Sequence, residues 1–485
     1  MYKIPQYIIH ITNSLHKAGF EAFAVGGCVR DILMNKIPKD WDLTTNARPE
    51  KILEIFPEGR YDNAFGTVIV PIKDGEGEMI DNVEITTYRS EQGYRDRRHP
   101  DQVIFEGEID KDLERRDFTV NALALRISED TDTEKDIIDL FGGRKDISRK
   151  IIRAVGEPSD RFKEDALRMI RAVRFSSQLG FEIEPKTEHA IVKLAGSIKY
   201  VSNERIRDEL VKILASDMPY EGIMRLHNLK LLQYILPELE RGVGITQNRH
   251  HVYTVFKHSV LSLKNCPSKD WKVRFAALLH DVAKPDTKRI QEGDATFYNH
   301  DIVGAKTVKK IMQRLKFSNK DVDKVVTLVR FHMFYYNVGE VTESSVRRLI
   351  RKVGEDNLKD LIDIRIADRL GSGVPKAKPY KLRHLEYMLD KVREDPISAK
   401  MLAINGNDLM TELSLEPGPK IGAIIDVLLS EVIDDASLNK KEILLERARA
   451  ISGLELAELR LKAKERIEEK KMEDDKILKK GHWIV

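Results

Sequence analysis

The chain has 485 residues, 33% of them charged and 41% hydrophobic. That balance excludes a disordered chain and describes a soluble, helix-rich globular protein of about three domains. A net charge of +3 does not by itself indicate a nucleic-acid partner, so local basic clustering must carry that argument.

The N-terminal MYKIPQYIIHITNSLHKAGF reads as a short amphipathic helix without a cleavage pattern. No apolar run reaches about 18 residues, so no membrane span or membrane partner is expected. Cys28 and Cys266 are too far apart in sequence to suggest a disulfide framework and form no CxxC knuckle. A reducing, cytoplasmic compartment is therefore expected. Residues 1–150 carry short β-branched runs, AFAVGG, WDLTT, GTVIVPI and NVEITTY, separated by turn formers and helical patterns such as RPEKILEIF. This predicts an α+β head with a small mixed sheet. From Ile151 onward apolar residues recur at i, i+3 and i+4, and strand signals almost vanish. The expected organisation is a head over 1–150, a helical neck over 151–244, a histidine-bearing helical domain over 245–375, a helical tail over 376–455 and a charged terminal helix over 456–485.

Within the head, AVGGCVRDILMNKIPKDWDLTTNA spans Ala24 to Ala47. Asp40 and Asp42 are two apart, and on a strand i and i+2 share a face. Two carboxylates aimed at one point repel unless a cation lies between them. Oxygen ligands with open positions suit Mg²⁺ and a substrate phosphate. Gly26 and Gly27 let a phosphate chain approach backbone N–H groups, with a helix start behind them and Arg30 nearby. Alone, a DxD or a GG is a weak signal and usually structural; at this spacing the pair is much stronger.

The stretch GGCVRD…KDWDLTT resembles the signature of polymerase β-like nucleotidyltransferases, in the subgroup holding tRNA CCA-adding enzymes and bacterial poly(A) polymerases. Four further stretches follow in that family's order: Leu113–Leu125, Arg161–Phe181, Glu204–Leu214 and Ile404–Leu429. The resemblance implies two Mg²⁺ on Asp40 and Asp42, triphosphate contacts from Arg30 and Arg116, and sugar contacts from Asp117 and Asn121. It implies tRNA contacts from the C-terminal part and makes Glu84 a candidate third carboxylate. The polar, arginine-bearing segment after Arg89 is similar to the family's flexible loop, which favours competence in adding the final A.

In RFKEDALRMIRAVRF, Asp165 and Arg168 are i, i+3 neighbours on an expected helix and can face one pocket. A carboxylate accepts and a guanidinium donates. Cytosine and adenine both offer an amine beside a ring acceptor, whereas uracil and guanine put a carbonyl where the amine should be. One such pair can thus admit CTP and ATP, and mismatching buried acceptors costs about 1–3 kcal/mol. In the family the matching residues read the base, with Glu164 orienting the arginine. Arg171 and Arg174 extend a basic stripe behind them. An exposed ion pair is the plain alternative.

The middle region holds His258, the adjacent His280 and Asp281, His300, His332 and Asp368. A His-Asp pair on an apolar helix needs a buried partner, and a metal is the simplest. The donor set suits Mn²⁺, Fe²⁺, Ni²⁺ or Zn²⁺ better than Ca²⁺. These residues resemble the HD phosphohydrolase domain. The resemblance implies His258, His280, Asp281 and Asp368 as ligands of one ion, with His300 and His332 for a second. His250 and His251 read as loop residues, and FHMFYYN as core packing rather than an RNA-stacking platform.

The resulting expectation is template-independent addition of CCA to tRNA from CTP and ATP, with phosphodiesterase or phosphatase activity at the HD site. Rival readings are a poly(A) polymerase, an A-adding enzyme, or an HD hydrolase whose head only binds RNA. Oligomeric state stays open, a homo-oligomer included.

Overall fold

The computed structural model describes residues 4–63, 66–74, 76–92, 102–128, 131, 135–247, 252–291, 294–334, 341–374, 377–392 and 395–462. The chain divides into two compact units, Met1–Val243 with Lys310–Ser318, and Gly244–Lys309 with Asn319–Val485.

The first unit is built on strands β1 (Ala22–Val25), β2 (Asp42–Thr45), β3 (Arg60–Asn63), β4 (Thr67–Lys73), β5 (Met79–Thr87), β6 (Arg89–Gln92), β7 (Gln102–Phe105), β8 (Ala124–Arg126) and β9 (Ile137–Ile138). Seven form one sheet in the order β3-β4-β5-β2-β1-β8-β9. β2 and β5 run parallel, and the other neighbours are antiparallel. Alternation in NVEITT sends Val83, Ile85 and Thr87 inward and leaves Asn82 and Glu84 outward. The inward side chains meet Ile8, Ile11 and Leu15 of the helix Gln6–Lys17, together with Val29, Ile32, Trp41 and Leu43. The catalytic candidates are therefore left on the opposite face. β6 and β7 pair as a separate ribbon. The tip of the arginine-bearing segment lies outside the described residues.

Beyond the head the unit is helical, with Pro158–Glu164, Leu167–Leu179, Asn203–Leu214 and Pro219–Asn228 as principal elements. Strand structure reappears in two small places: Ile151–Ile152 beside Glu182–Ile183, and the hairpin Arg289–Gln291 with Asp294–Thr296 in the second unit. These runs are two and three residues long, too short for a periodic signal.

In the second unit, helices Val255–Lys264, Trp271–Leu279 and Leu358–Gly371 pack on one another. A further core gathers Leu409, Ile424, Val427, Leu428, Val432 and Leu444. Asn405 starts the helix Gly406–Leu413 with a capping box, and Pro419 opens the helix Pro419–Asp434. Phe334 packs against a neighbouring core; the rest of FHMFYYN past it, His250, His251 and the charged segment after residue 462 lie outside the described residues. No described helix is long and apolar enough to cross a membrane. Cys28 and Cys266 are both free and buried.

Candidate nucleotide site and metal centre

Asp42 opens β2 and stands directly across from Glu84 of β5 in the parallel register. Asp40 is not on the strand. It lies on a bend two residues after Pro38, which has no N–H to give a ladder. The alternation nevertheless holds: Trp41 is buried in the core, while Asp40 and Asp42 lie on either side of it with greater exposure. Burial raises Asp42 above the ordinary carboxylate range, and Asp40 adds to this while Arg116 opposes it. Burial also raises Glu84, with Asp42, Asp62 and Asp40 adding to it. Among the described residues no ion pair within 4.0 Å reaches Asp40, Asp42 or Glu84. Crowded acids without a cation fit a divalent metal ion.

Gly26 has φ +78°, and a Cβ there would lie 2.9 Å from Arg116 Nη1 and 3.8 Å from Asp42 Oδ2. The positive φ and the close approach of the guanidinium favour glycine here. The helix Gly27–Leu33 behind it has seven residues, so backbone access carries more of the phosphate argument than a helix dipole.

Arg30 Nη1 donates to Asn121 Oδ1 at 2.7 Å, and Asn121 Nδ2 donates to Asp117 Oδ1 at 3.4 Å. Asn121 sits in a one-turn 3-10 helix, Thr119–Asn121. Arg171 Nε donates to Asp117 Oδ2 at 2.7 Å. Burial alone would raise Asp117, but Arg171, Arg168 and Asn121 together hold the carboxyl below its ordinary value. Arg116 pairs with the fully buried Asp112 at 3.1 Å. The structure thus joins Arg30, Asn121, Asp117 and Arg171 in one chain of polar contacts, with Gly26, Arg116 and Asp42 grouped beside one another. Arg174 pairs with Glu209 of the neck helix at 2.8 Å.

The base-selection pair differs from its expected setting. Asp165 does not lie within a helix; it is extended, φ −142° and ψ 107°, between the helices Pro158–Glu164 and Leu167–Leu179. Its Oδ1 accepts from the Leu167 N–H at 3.0 Å. Asp side chains favour such caps over helix interiors, which accounts for the break. Arg205 of the neck helix reaches Asp165 Oδ2 at 2.6 Å and Oδ1 at 3.2 Å. Arg168 is held apart from Asp165 by Glu164 at 2.5 Å and by the carbonyls of Arg161 and Arg115, 3.2 and 3.1 Å away. Sequence reading overlooked Arg205, Glu209 and Asp112, of which only Asp112 carried a local signal, its i, i+4 spacing to Arg116.

In the second unit the six predicted histidine and aspartate residues converge. Among the described residues, His258, His280 and Asp368 form one ligand-like group, and His280, Asp281 and His332 another. Asp281 Oδ2 lies 3.1 Å from His258 Nε2 and 3.3 Å from His280 Nε2, while Oδ1 lies 3.3 Å from His300 Nε2. The carboxylate therefore faces one histidine pair with each oxygen. Three Nδ1 atoms meet backbone carbonyls: His280 with Ala277 at 2.8 Å, His300 with Phe297 at 2.8 Å and His332 with Val329 at 2.7 Å. A neutral ring donating from Nδ1 presents a lone pair at Nε2. Nε2 atoms then face each other at 3.1 Å (His258 and His280) and 3.3 Å (His300 and His332). Asp281 Oδ2 is buried and makes no geometrically sound hydrogen bond. Inward lone pairs around a buried carboxylate fit a transition-metal ion. Lys284, one helical turn from Asp281 and 2.6 Å from its Oδ2, is a further neighbour that HDVAK displayed and sequence reading passed over.

Three family models match the chain: the poly A polymerase head domain over residues 22–153, the "Probable RNA and SrmB-binding site of polymerase A" over 180–242, and a tRNA nucleotidyltransferase second-domain model over 295–448. A CCA-adding enzyme of Enterococcus faecalis is 32% identical over 453 residues, covering 90% of this chain and 94% of the relative. An A-adding tRNA nucleotidyltransferase of Deinococcus radiodurans is 36% identical over 336 residues, covering 66% of this chain and 74% of the relative. The crystal structure of the Bacillus stearothermophilus CCA-adding enzyme in complex with CTP superposes with TM-score 0.66 at 28% identity, over 92% of this chain and 98% of that one.

Proposed function

Because the chain belongs to the family of CCA-adding tRNA nucleotidyltransferases, we propose that it adds CCA to the 3′ end of tRNA from CTP and ATP without a template. The observation that carries this reading is the row of Asp42 and Glu84, with Asp40 beside it and, among the described residues, no ion pair to any of the three, next to the Gly26 and Arg116 approach. Asp40 and Asp42 would hold Mg²⁺, with Glu84 as the adjoining acid. Such ions lower the pKa of a bound hydroxyl and neutralise a leaving pyrophosphate. Arg30, Arg116, Arg171 and Arg174 bind the triphosphate, and Gly27 offers its backbone N–H to it, whereas the Gly26 N–H donates to the Leu123 carbonyl at 3.1 Å and Gly26 contributes close approach only. Asp117 and Asn121 orient the sugar. Asp165 accepts from the amine of cytosine or adenine, and Arg168 donates to the neighbouring ring nitrogen. The helical tail would grip tRNA through phosphate and shape.

The deciding experiment incubates tRNA ending before CCA with CTP alone, ATP alone, or both, and sizes the products. Three nucleotides added from the mixture support CCA addition. A ladder from ATP means polyadenylation. Extension solely of tRNA already ending in CC means A addition.

A second activity has its own supporting observation, the inward Nε2 atoms around Asp281. His258, His280, Asp281 and Asp368 would hold one Mn²⁺, Fe²⁺, Ni²⁺ or Zn²⁺ ion, and His300 and His332 a second. A metal held there supplies a hydroxide at neutral pH. The reading is a phosphodiesterase or phosphatase. Hydrolysis of a generic phosphodiester with Ni²⁺ or Mn²⁺, abolished by Asp281→Ala while nucleotide addition persists, supports it. No hydrolysis with any of the four metals refutes it.

A further inference from the structure

We propose that Phe175 is a positioning residue of the nucleotide site, its ring gathering the guanidiniums of Arg30, Arg171 and Arg174 into one cationic wall for the triphosphate. The inference rests on reading the head as a nucleotide site.

The geometry is specific. Arg174 lies 4.0 Å from the Phe175 ring centroid, Arg171 5.4 Å and Arg30 5.6 Å. Arg171, Arg174 and Phe175 share one face of the helix Leu167–Leu179 by their i, i+3, i+4 spacing. Arg30 arrives from the head helix Gly27–Leu33. The ring is 7% exposed and rests edge-on against Phe118, 5.8 Å away at 78°. A core phenylalanine ordinarily meets apolar neighbours. This one presents a π-surface to three cations, and a ring face attracts cations within about 6 Å.

Three guanidiniums so gathered repel one another, and each has one acid to balance it: Asp31 for Arg30, Asp117 for Arg171 and Glu209 for Arg174. Burial, with Arg171 and Arg30 close by, pushes Arg174 down to about 10 against the pull of Glu209. The ring offsets part of the repulsion without neutralising a charge, which an added carboxylate would do. The three guanidiniums stay charged and fixed in place, so their donors are presented together to a polyanion that can compete with the three acids.

The test separates the ring's electronics from its shape. Replacing Phe175 with pentafluorophenylalanine keeps the outline and reverses the quadrupole. Equilibrium binding of CTP and of ATP is measured without tRNA, so no turnover intervenes. The proposal expects a loss of about tenfold in affinity for both nucleotides, a lowered thermal midpoint with an unchanged circular dichroism spectrum, and unchanged discrimination of CTP from UTP. Phe175→Tyr should bind within about twofold of the unaltered protein, since its ring still attracts cations. Should the fully fluorinated protein not fold, a series with one and two ring fluorines should show affinity falling stepwise with fluorine number. Wild-type affinity throughout the series would overturn the proposal and leave Phe175 a packing residue. So would a loss confined to CTP-against-UTP discrimination. If the unaltered protein binds neither nucleotide, the nucleotide-site reading falls first and the proposal with it.

Discussion

Arg205 Nη2 lies 2.6 Å from Asp165 Oδ2, so the neck helix directly grips the carboxylate proposed to read the incoming base. A guanidinium bonded to both oxygens of a carboxylate fixes its plane. Arg168 is held separately by Glu164. The two reading groups are thus positioned by independent scaffolds and not by each other. Arg205→Ala should lower the ratio of CTP to UTP incorporation about tenfold, because a charge-assisted hydrogen bond is worth about 1.5–3 kcal/mol. Competition kinetics with both nucleotides measures this; an unchanged ratio would detach Arg205 from selection.

Gly26→Ala tests the cradle. The position combines a positive φ with a 2.9 Å approach to Arg116. A side chain there costs about 1–3 kcal/mol in strain and displaces the guanidinium. The expected result is a lower unfolding midpoint together with a raised KM for both nucleotides. Full nucleotide affinity in the variant would show that the cradle does not require glycine.

How much of this was legible in advance follows from the range of each signal. Val83, Glu84 and Ile85 alternate along one strand, so the inward and outward faces were readable locally. Gly26 and Asp42, close together in the structure, could be grouped in advance with Asp40 because their spacing lies within one short stretch. The setting of Asp165 was misjudged: EDALR matches helical periodicity, but the Asp165 side chain caps the next helix and breaks the first. Asp165 and Arg205 are 40 residues apart and Arg30 and Asn121 are 91 apart. Such pairings arise from tertiary packing, which no local pattern encodes. The six histidine and aspartate residues were recognisable as a group because buried histidine and aspartate on apolar helices require partners, yet the division of Asp281 between two histidine pairs needed coordinates.

Both thiols should be inert in the folded protein. Burial pushes Cys28 up to about 12, with Asp42 adding to it, and burial likewise pushes Cys266 up to about 12. The reactive thiolate is therefore scarce at pH 8. Titration with an aromatic disulfide should give no fast reaction in native buffer and two thiols per chain after unfolding. Prompt native labelling would contradict the burial.

At the histidine centre, incubation with Mn²⁺ followed by desalting and elemental analysis should give two ions per chain. His300→Ala with His332→Ala should leave one, and Asp281→Ala none, because its two oxygens face both histidine pairs. Equal metal content in all three proteins would remove the ligand assignment. Nucleotide addition by the head should persist in each.

Whether Asp42 is indispensable to nucleotide transfer is decided by comparing Asp42→Ala with the unaltered protein on tRNA lacking CCA, given CTP, ATP and Mg²⁺, with circular dichroism confirming the fold of both. The account predicts three added nucleotides for the unaltered chain and none for a normally folded Asp42→Ala variant. Substantial extension by that variant would contradict the assignment of Asp42 as the acid on which nucleotide transfer depends.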